Sequence, residues 1–456
     1  MSDAPSSSFL TTTLQKAARF FEFQRLGTNW RTERLAGVTT FVTMAYILVV
    51  NPLILSNAIY LEEQGDLFNE LVIATAISAA IATAIMGLYA KLPFGLAPGM
   101  GINAYFTFTV VLGIGVDWRA ALGAVFVEGL VFIALTVTGV RSRIIALIPN
   151  GIKHATTAGI GLFITYIALR NAGLVVDNEA TLTGLGNFQA GSSIIALIGL
   201  ALTAALVVRR IPGALLWGIL STALLAWITQ ITDWPLGIVA LPTVPTHLLG
   251  QAFTGLGALW RVNFVDAASI IFVLLFVDLF DTVGTLAGLG VKAGYVNEDG
   301  RFPGVEKAMM ADAVGTTSGA ILGTSTVTTY IESAAGISEG GRSGFTAVIV
   351  SALFAASIFF IPLLAGIPSF ASAPALIIVG SLMMTGVKHI QWEDPAEAIA
   401  CFLTIVMMPL SFSIAEGIAM GLIAYPLLKL CQGKAKNVPW GLWILAALFV
   451  GRYALS

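Results

Sequence analysis

Three short stretches hold the residues that could do chemistry. "GTSTVTTYIESAAGIS", Gly323 to Ser338, carries one charged group, Glu332. "FVLLFVDLFDTVGTLAG" carries Asp278 and Asp281, three apart and so roughly on one face of a helix. "GMGINAYF" carries Asn103, whose amide offers both a donor and an acceptor. A carboxylate accepts N–H hydrogens, and a carboxyl taken out of water favours its neutral form. Such a group can bind a polar ligand, or take a proton on one side and release it on the other; Asp281, Glu332 and Asp278 are the candidates for that traffic. The run Thr324, Thr326, Thr328, Thr329 alternates like a short strand. Its free backbone groups, beside Glu332 and Tyr330, suit a flat heterocycle with N–H donors. A bare anion suits them less, because Glu332 would repel it.

The elements that position these residues are membrane spans. The chain has 456 residues, 57% hydrophobic and 11% charged, with mean hydropathy +0.90; a soluble chain carries about 25% charged residues. The composition predicts an all-α polytopic membrane protein whose partner is the lipid bilayer. A net charge of −2 argues against nucleic acid. Cys401 and Cys431 have neither metal nor disulfide spacing, and no metal or cofactor is expected. The N-terminus shows no cleavable signal. Residues 9–23 read either as an interfacial helix with Phe20, Phe21 and Phe23 toward lipid, or as a loose arm.

Apolar runs fall at about 36–55, 71–90, 97–113, 120–139, 144–169, 192–208, 213–231, 266–289, 309–322, 324–337, 344–365, 371–387, 396–410 and 412–430, fourteen in all. The third and tenth read poorly as full helices. A last run, Trp440 to Val450, is too short to read as a span and suits the interface. With the N-terminus inside, 19 of the 23 Lys and Arg fall on the inner side, and Arg119, Arg170 and Arg261 fall outside, as the positive-inside rule requires. Within these runs the only Lys or Arg are Lys153 and Lys429, each toward the inner end of its run. Six carboxylates remain at or near membrane depth: Glu128, Asp278, Asp281, Asp312, Glu332 and Glu416. Each costs at least about 2.5 kcal/mol there. A neutral, hydrogen-bonded carboxyl is the plain reading for Glu128, Asp312 and Glu416, the last two close to the interface; a helix-breaking cap is the plain reading for Asn103.

The halves repeat. "IPNGIKHATTAGIG" from Ile148 matches "IPSFASAPALIIVG" from Ile367, an offset of 219, and the two weak spans correspond from Gly95 and Gly323, an offset of 228. Seven spans per half is odd, so the repeats are inverted, the architecture of secondary transporters. Paired broken segments mark the binding site in such proteins.

The strings "GTNWRTERLAGVTTFVTMAYILVVNP", "GLAPGMGINAYF", "FVDLFDTVGTLAG" and "GTSTVTTYIESAAGISEGGRSG" resemble the nucleobase–cation symporter-2 superfamily, specifically its azaguanine-resistance-type purine permeases. The resemblance covers nearly the whole chain. It implies proton-coupled uptake of guanine, hypoxanthine or adenine across the plasma membrane, by an elevator-like or rocking motion, with H+ as coupling ion and a homodimer formed through the gate. It implies a core of spans 1–4 and 8–11, a gate of spans 5–7 and 12–14, and short strands on spans 3 and 10. The corresponding division is an inner arm 1–35, core 36–139, gate 140–232, outer loop 233–265, core 266–365, gate 366–432 and tail 433–456. The substrate contacts implied are Glu332, Asp281 with Gly284, Asn103, Thr329, Tyr330, Ile331 and Ser333, with Asp278 the competing alignment for Asp281. A xanthine- or uracil-specific symporter and an anion exchanger of the sulfate-permease type, similar in fold, are the alternatives. An aspartyl protease would need a Gly-x-Gly-Asp string, and a pump a P-loop; neither string occurs.

Overall fold

The weak third and tenth spans form the centre of the molecule. The computed structural model describes residues 15–139, 148–296 and 302–455. Among these, nine helices are long and apolar enough to cross a membrane. With five further segments they make fourteen spans. Spans 1, 2 and 4 are Trp30–Leu55, Phe68–Ala90 and Trp118–Thr138; spans 5, 6 and 7 are Asn150–Asn171, Gly191–Val208 and Ala214–Ile228. Span 8 is Phe264–Ala293, span 9 Val305–Leu322 and span 11 Gly344–Ala365. Spans 12, 13 and 14 are Ser369–His389, Pro395–Leu410 and Ile414–Cys431.

Spans 3 and 10 each begin as a strand and continue as a helix. Leu96–Pro98 leads into Met100–Ala104, which widens into π-helical turns over Tyr105–Gly113. Val327–Thr329 leads into Ser333–Ser338. The two strands pair antiparallel, with Leu96 opposite Thr329, Ala97 opposite Thr328 and Pro98 opposite Val327. The two-fold of the pair therefore relates Leu96 to Val327, an offset of 231, and corrects the offset of 228 read from the glycines. Residue identity is a poor ruler here, because the glycines preceding each strand serve different turns. Gly323, at φ +94°, ends span 9 in a left-handed turn. Gly95 instead packs its α-carbon against Met44.

The packing is symmetric under exchange of the halves. Span 2 packs on span 11 and span 9 on span 4, span 1 on span 11 and span 8 on span 4, span 5 on span 13 and span 12 on span 6. That is two inverted seven-span repeats, with spans 1–4 and 8–11 in a core and spans 5–7 and 12–14 in a gate. The two strings most charged in the sequence meet at one corner of the core. Asn29 caps span 1 by accepting from the Arg31 and Thr32 amides. Glu33 is fully buried, yet it accepts from the Arg342 amide at 2.9 Å and from the Ser343 and Thr346 hydroxyls at 2.7 and 2.6 Å, so its charge is met by donors. Gly336 lets the short helix of span 10 touch span 1, since a Cβ there would lie 2.1 Å from Thr40 Oγ1.

One peripheral segment differs from expectation. Of the three arm phenylalanines, only Phe20 is exposed; Phe21 and Phe23 are buried against Phe345 and Trp30. An aromatic pocket in the protein outcompetes lipid because it adds ring–ring contacts to burial. Residues 9–14 of that segment lie outside the described residues. At the other end, Trp440–Leu455 is a helix beside span 14. Its Tyr453 hydroxyl donates to Glu416 in the first turn of span 14, and Phe449 packs on Phe272 of span 8.

Candidate functional site

The strand pair leaves backbone groups on its outer edges, and two threonines meet them. Thr83 on span 2 accepts from the Leu96 amide at 2.9 Å and donates to the Leu96 carbonyl at 3.0 Å; Thr316 on span 9 donates to the Val327 carbonyl at 3.0 Å. Spans 2 and 9 are equivalent in the two repeats, so this brace is itself duplicated. The free strand backbone expected at these positions is thus occupied by protein, as burial demands. Ser333 Oγ accepts from the Gly95 amide at 2.9 Å, and the Tyr330 hydroxyl donates to the Pro98 carbonyl. Both residues are buried and tie span 10 to span 3. Asn103 is fully buried; its Oδ1 accepts from Ser325, while its Nδ2 has no acceptor among the described residues.

On one flank of this brace lies an open crevice. Glu332 is half-buried at the turn between strand and helix, and the Tyr46 hydroxyl donates to its Oε1 at 2.7 Å. Tyr46 sits where span 1 is interrupted between the helices Trp30–Met44 and Ile47–Leu55, and it is fully buried. Glu332 lines a cavity of about 580 Å³ with Thr39 and Thr43 of span 1, Lys292 of span 8 and the Arg210–Leu215 connection of the gate. Ile331 is 52% exposed. Asp281 is half-buried and within electrostatic reach of Glu332. One turn on, Gly284 is exposed, and a Cβ there would meet nothing within 4 Å. Ala287, Gly288 and Lys292 continue this exposed line along span 8 toward the face that carries the basic loops. Neither Asp281 nor Glu332 belongs to an ion pair among the described residues. Glu332 therefore faces an open, partly apolar space, and a second acceptor, Asp281, lies within electrostatic reach on a helix with no side chain at Gly284.

The other flank is closed. Asp278 is fully buried, and the three-residue separation from Asp281 puts the two in different surroundings. At roughly 100° per residue, three positions leave them about 60° apart around the helix, enough to leave Asp281 half-buried and Asp278 in the packed core. There the Thr282 hydroxyl lies 3.3 Å from Asp278 Oδ1 and 2.8 Å from Asp312 Oδ2. Thr329 donates to Asp312 at 3.1 Å, and Thr326 to Glu128 at 2.8 Å. Asp312 is fully buried in this network rather than close to the interface. Thr329, expected to touch substrate, points to this closed side.

Of the residues singled out in the sequence, Glu332 lines the crevice, Asp281 is within electrostatic reach of it, and Ile331 is exposed beside Gly288 of span 8. Asn103, Tyr330 and Ser333 brace the strands behind it. Tyr46, Thr83, Thr316 and Thr282 were missed. A lone Tyr in the apolar run "MAYILVV" is the one signal that could have pointed to Tyr46. Among the described residues, no group of three or more His, Cys, Asp or Glu could hold a metal ion.

The model of a family described as "Permease family" matches residues 31–420. The guanine/hypoxanthine permease PbuO of Bacillus subtilis is 42% identical over 434 residues, covering 94% of this chain and 98% of that protein. The adenine permease AdeP of Escherichia coli is 40% identical over 432 residues, covering 95% and 94%. Among solved structures, the transmembrane domain of a cyanobacterium bicarbonate transporter, BicA, superposes with a TM-score of 0.60 at 16% identity, covering 86% of this chain and 97% of that one. That last likeness concerns the fold.

Proposed function

The chain belongs to the permease family and is a multi-pass membrane transporter rather than an enzyme, and from this premise we propose that it carries purine nucleobases into the cell, coupled to protons. The observation that carries the reading is Glu332 lining an open crevice between core and gate, with the half-buried Asp281 within electrostatic reach of it. Guanine and hypoxanthine present ring N–H donors on one edge, and adenine an exocyclic amine. A carboxylate accepting such donors makes charge-assisted hydrogen bonds, about twice as strong as neutral ones. The space over Gly284 admits a flat ring. The names of the relatives, a guanine/hypoxanthine and an adenine permease, support the same substrate class. An anion such as bicarbonate is disfavoured, because both acidic groups would repel it.

In this reading the basic face is cytoplasmic, the N-terminus lies inside, and the membrane is the plasma membrane. The crevice runs toward that face, so this conformation is inward-open. Transport is the motion of the core against the gate, in an elevator-like or rocking manner, with the inverted repeats supplying two related packings. The homodimer implied by the family resemblance would leave the core free to move.

The test is uptake into proteoliposomes of labelled adenine, guanine, hypoxanthine, xanthine, uracil and bicarbonate at two external pH values. Saturable uptake of a purine, increased by an inward proton gradient, is the expected result. Transport of bicarbonate without purine would overturn the reading. Xanthine or uracil alone would restrict it to the alternative symporter.

A further inference from the structure

The closed flank behind the strands holds a second acidic centre, which the substrate site does not use. Glu128 on span 4 and Asp278 on span 8 are both fully buried, and their carboxyl groups are neighbours. Oε2 of Glu128 accepts from Thr326 at 2.8 Å. Oε1 of Glu128 receives no amide or hydroxyl hydrogen among the described residues. Two carboxyl groups are acceptors when ionised. Side by side out of water, two such groups can share one proton. No cation substitutes for it: residues 120–138, 264–291, 308–322 and 323–338 of the surrounding spans 4, 8, 9 and 10 contain no Lys, Arg or His, and neither do spans 2 and 3. The titratable groups that face the pair are Asp312, bridged through Thr282, and beyond it Asp281 and Glu332.

We propose that Glu128 and Asp278 form the proton-binding site of this transporter, separate from the substrate carboxylates and joined to them through the span-10 strand. This rests on the nucleobase-transport reading above. The strand is the mechanical link. Thr326 is bonded to Glu128, Thr328 lies 2.9 Å from the Thr282 hydroxyl, and Thr329 is bonded to Asp312. Glu332 follows three residues after Thr329. With the proton present, the carboxyls and threonines hold the strand in the register described. Removing it leaves two like charges in contact, which repel and loosen the hold on the strand. A route for the proton exists within the cluster: Thr282 can accept a proton from Asp278 while passing its own hydroxyl proton to Asp312. One proton moves and Thr282 ends unchanged. Asp312 is within electrostatic reach of Asp281 at the crevice.

The test uses the purified full-length protein. Guanine is titrated calorimetrically in two buffers of different ionisation enthalpy, which counts the protons taken up on binding. Wild type is expected to bind guanine with uptake of close to one proton, its affinity changing by about tenfold per pH unit in the linked range. Glu128→Gln is expected to bind guanine without that proton, to exchange purine across a membrane, and to lose accumulation driven by a pH gradient. Asp278→Asn is read in the same way and decides the matter if Glu128→Gln does not fold. Proton uptake by either folded variant equal to that of wild type overturns the proposal. A third measurement needs no variant: the wild-type infrared difference spectrum must show a protonated-carboxyl band that changes when guanine binds, and its absence overturns the proposal. Failure of wild type to bind any purine would instead overturn the substrate reading.

Discussion

Tyr46→Phe isolates a single hydrogen bond at the heart of the proposed site. The phenol donates to Glu332 Oε1 at 2.7 Å, from a fully buried position at the break in span 1. It fixes the orientation of the carboxylate, so that the second oxygen is turned to incoming N–H donors. The change removes one oxygen and leaves the ring that packs the break. A hydrogen bond to a charged group contributes about 1.5–3 kcal/mol. If that stabilisation is needed to keep Glu332 ionised and aimed at substrate, affinity should fall roughly 10- to 150-fold. The assay is equilibrium binding of labelled guanine to purified protein, with thermal unfolding measured in parallel. The expected outcome is a large loss of affinity with a small loss of melting temperature. Unchanged affinity would refute the reasoning: Tyr46 would then be packing only, and the orientation of Glu332 would not depend on it.

Four further outcomes are expected. Glu332→Gln should abolish purine binding while the protein still reaches the membrane, a loss of about 2–5 kcal/mol, read by the same binding assay. Asp281→Asn should weaken guanine binding, whereas Asp278→Asn should leave it and remove the proton dependence; the reverse pattern in the two titrations would exchange their roles. A cysteine at Ile331, which is 52% exposed, should react with a polar thiol reagent and be protected by guanine, while one at Ala104, which is fully buried, should not react; Cys401 and Cys431 are removed first, and labelling is followed by mass spectrometry. Gly336→Ala should lower the melting temperature by the equivalent of about 1–3 kcal/mol, because its Cβ would press on Thr40.

The amino-acid sequence by itself determined the spans, the inverted duplication and the two broken segments. A bilayer makes this possible: it forces each crossing to be a self-satisfied apolar run, so composition along the chain reads almost directly as topology. It also singled out Glu332 and the aspartates of span 8, since a charge at that depth needs a reason. Tertiary structure alone decided which aspartate faces which space. Asp278 and Asp281 are alike in type and neighbourhood along the chain, and only the packing of spans 4 and 9 against one side of span 8 makes one of them closed and the other open. The same holds for Tyr46, which meets Glu332 across 286 positions of sequence, and for Thr83 and Thr316, whose value lies in the strand edges they reach. The register of the strands was likewise out of reach, because a three-residue segment is specified by its partners rather than by its own pattern. Such partners come from distant parts of the chain, and no local propensity records them.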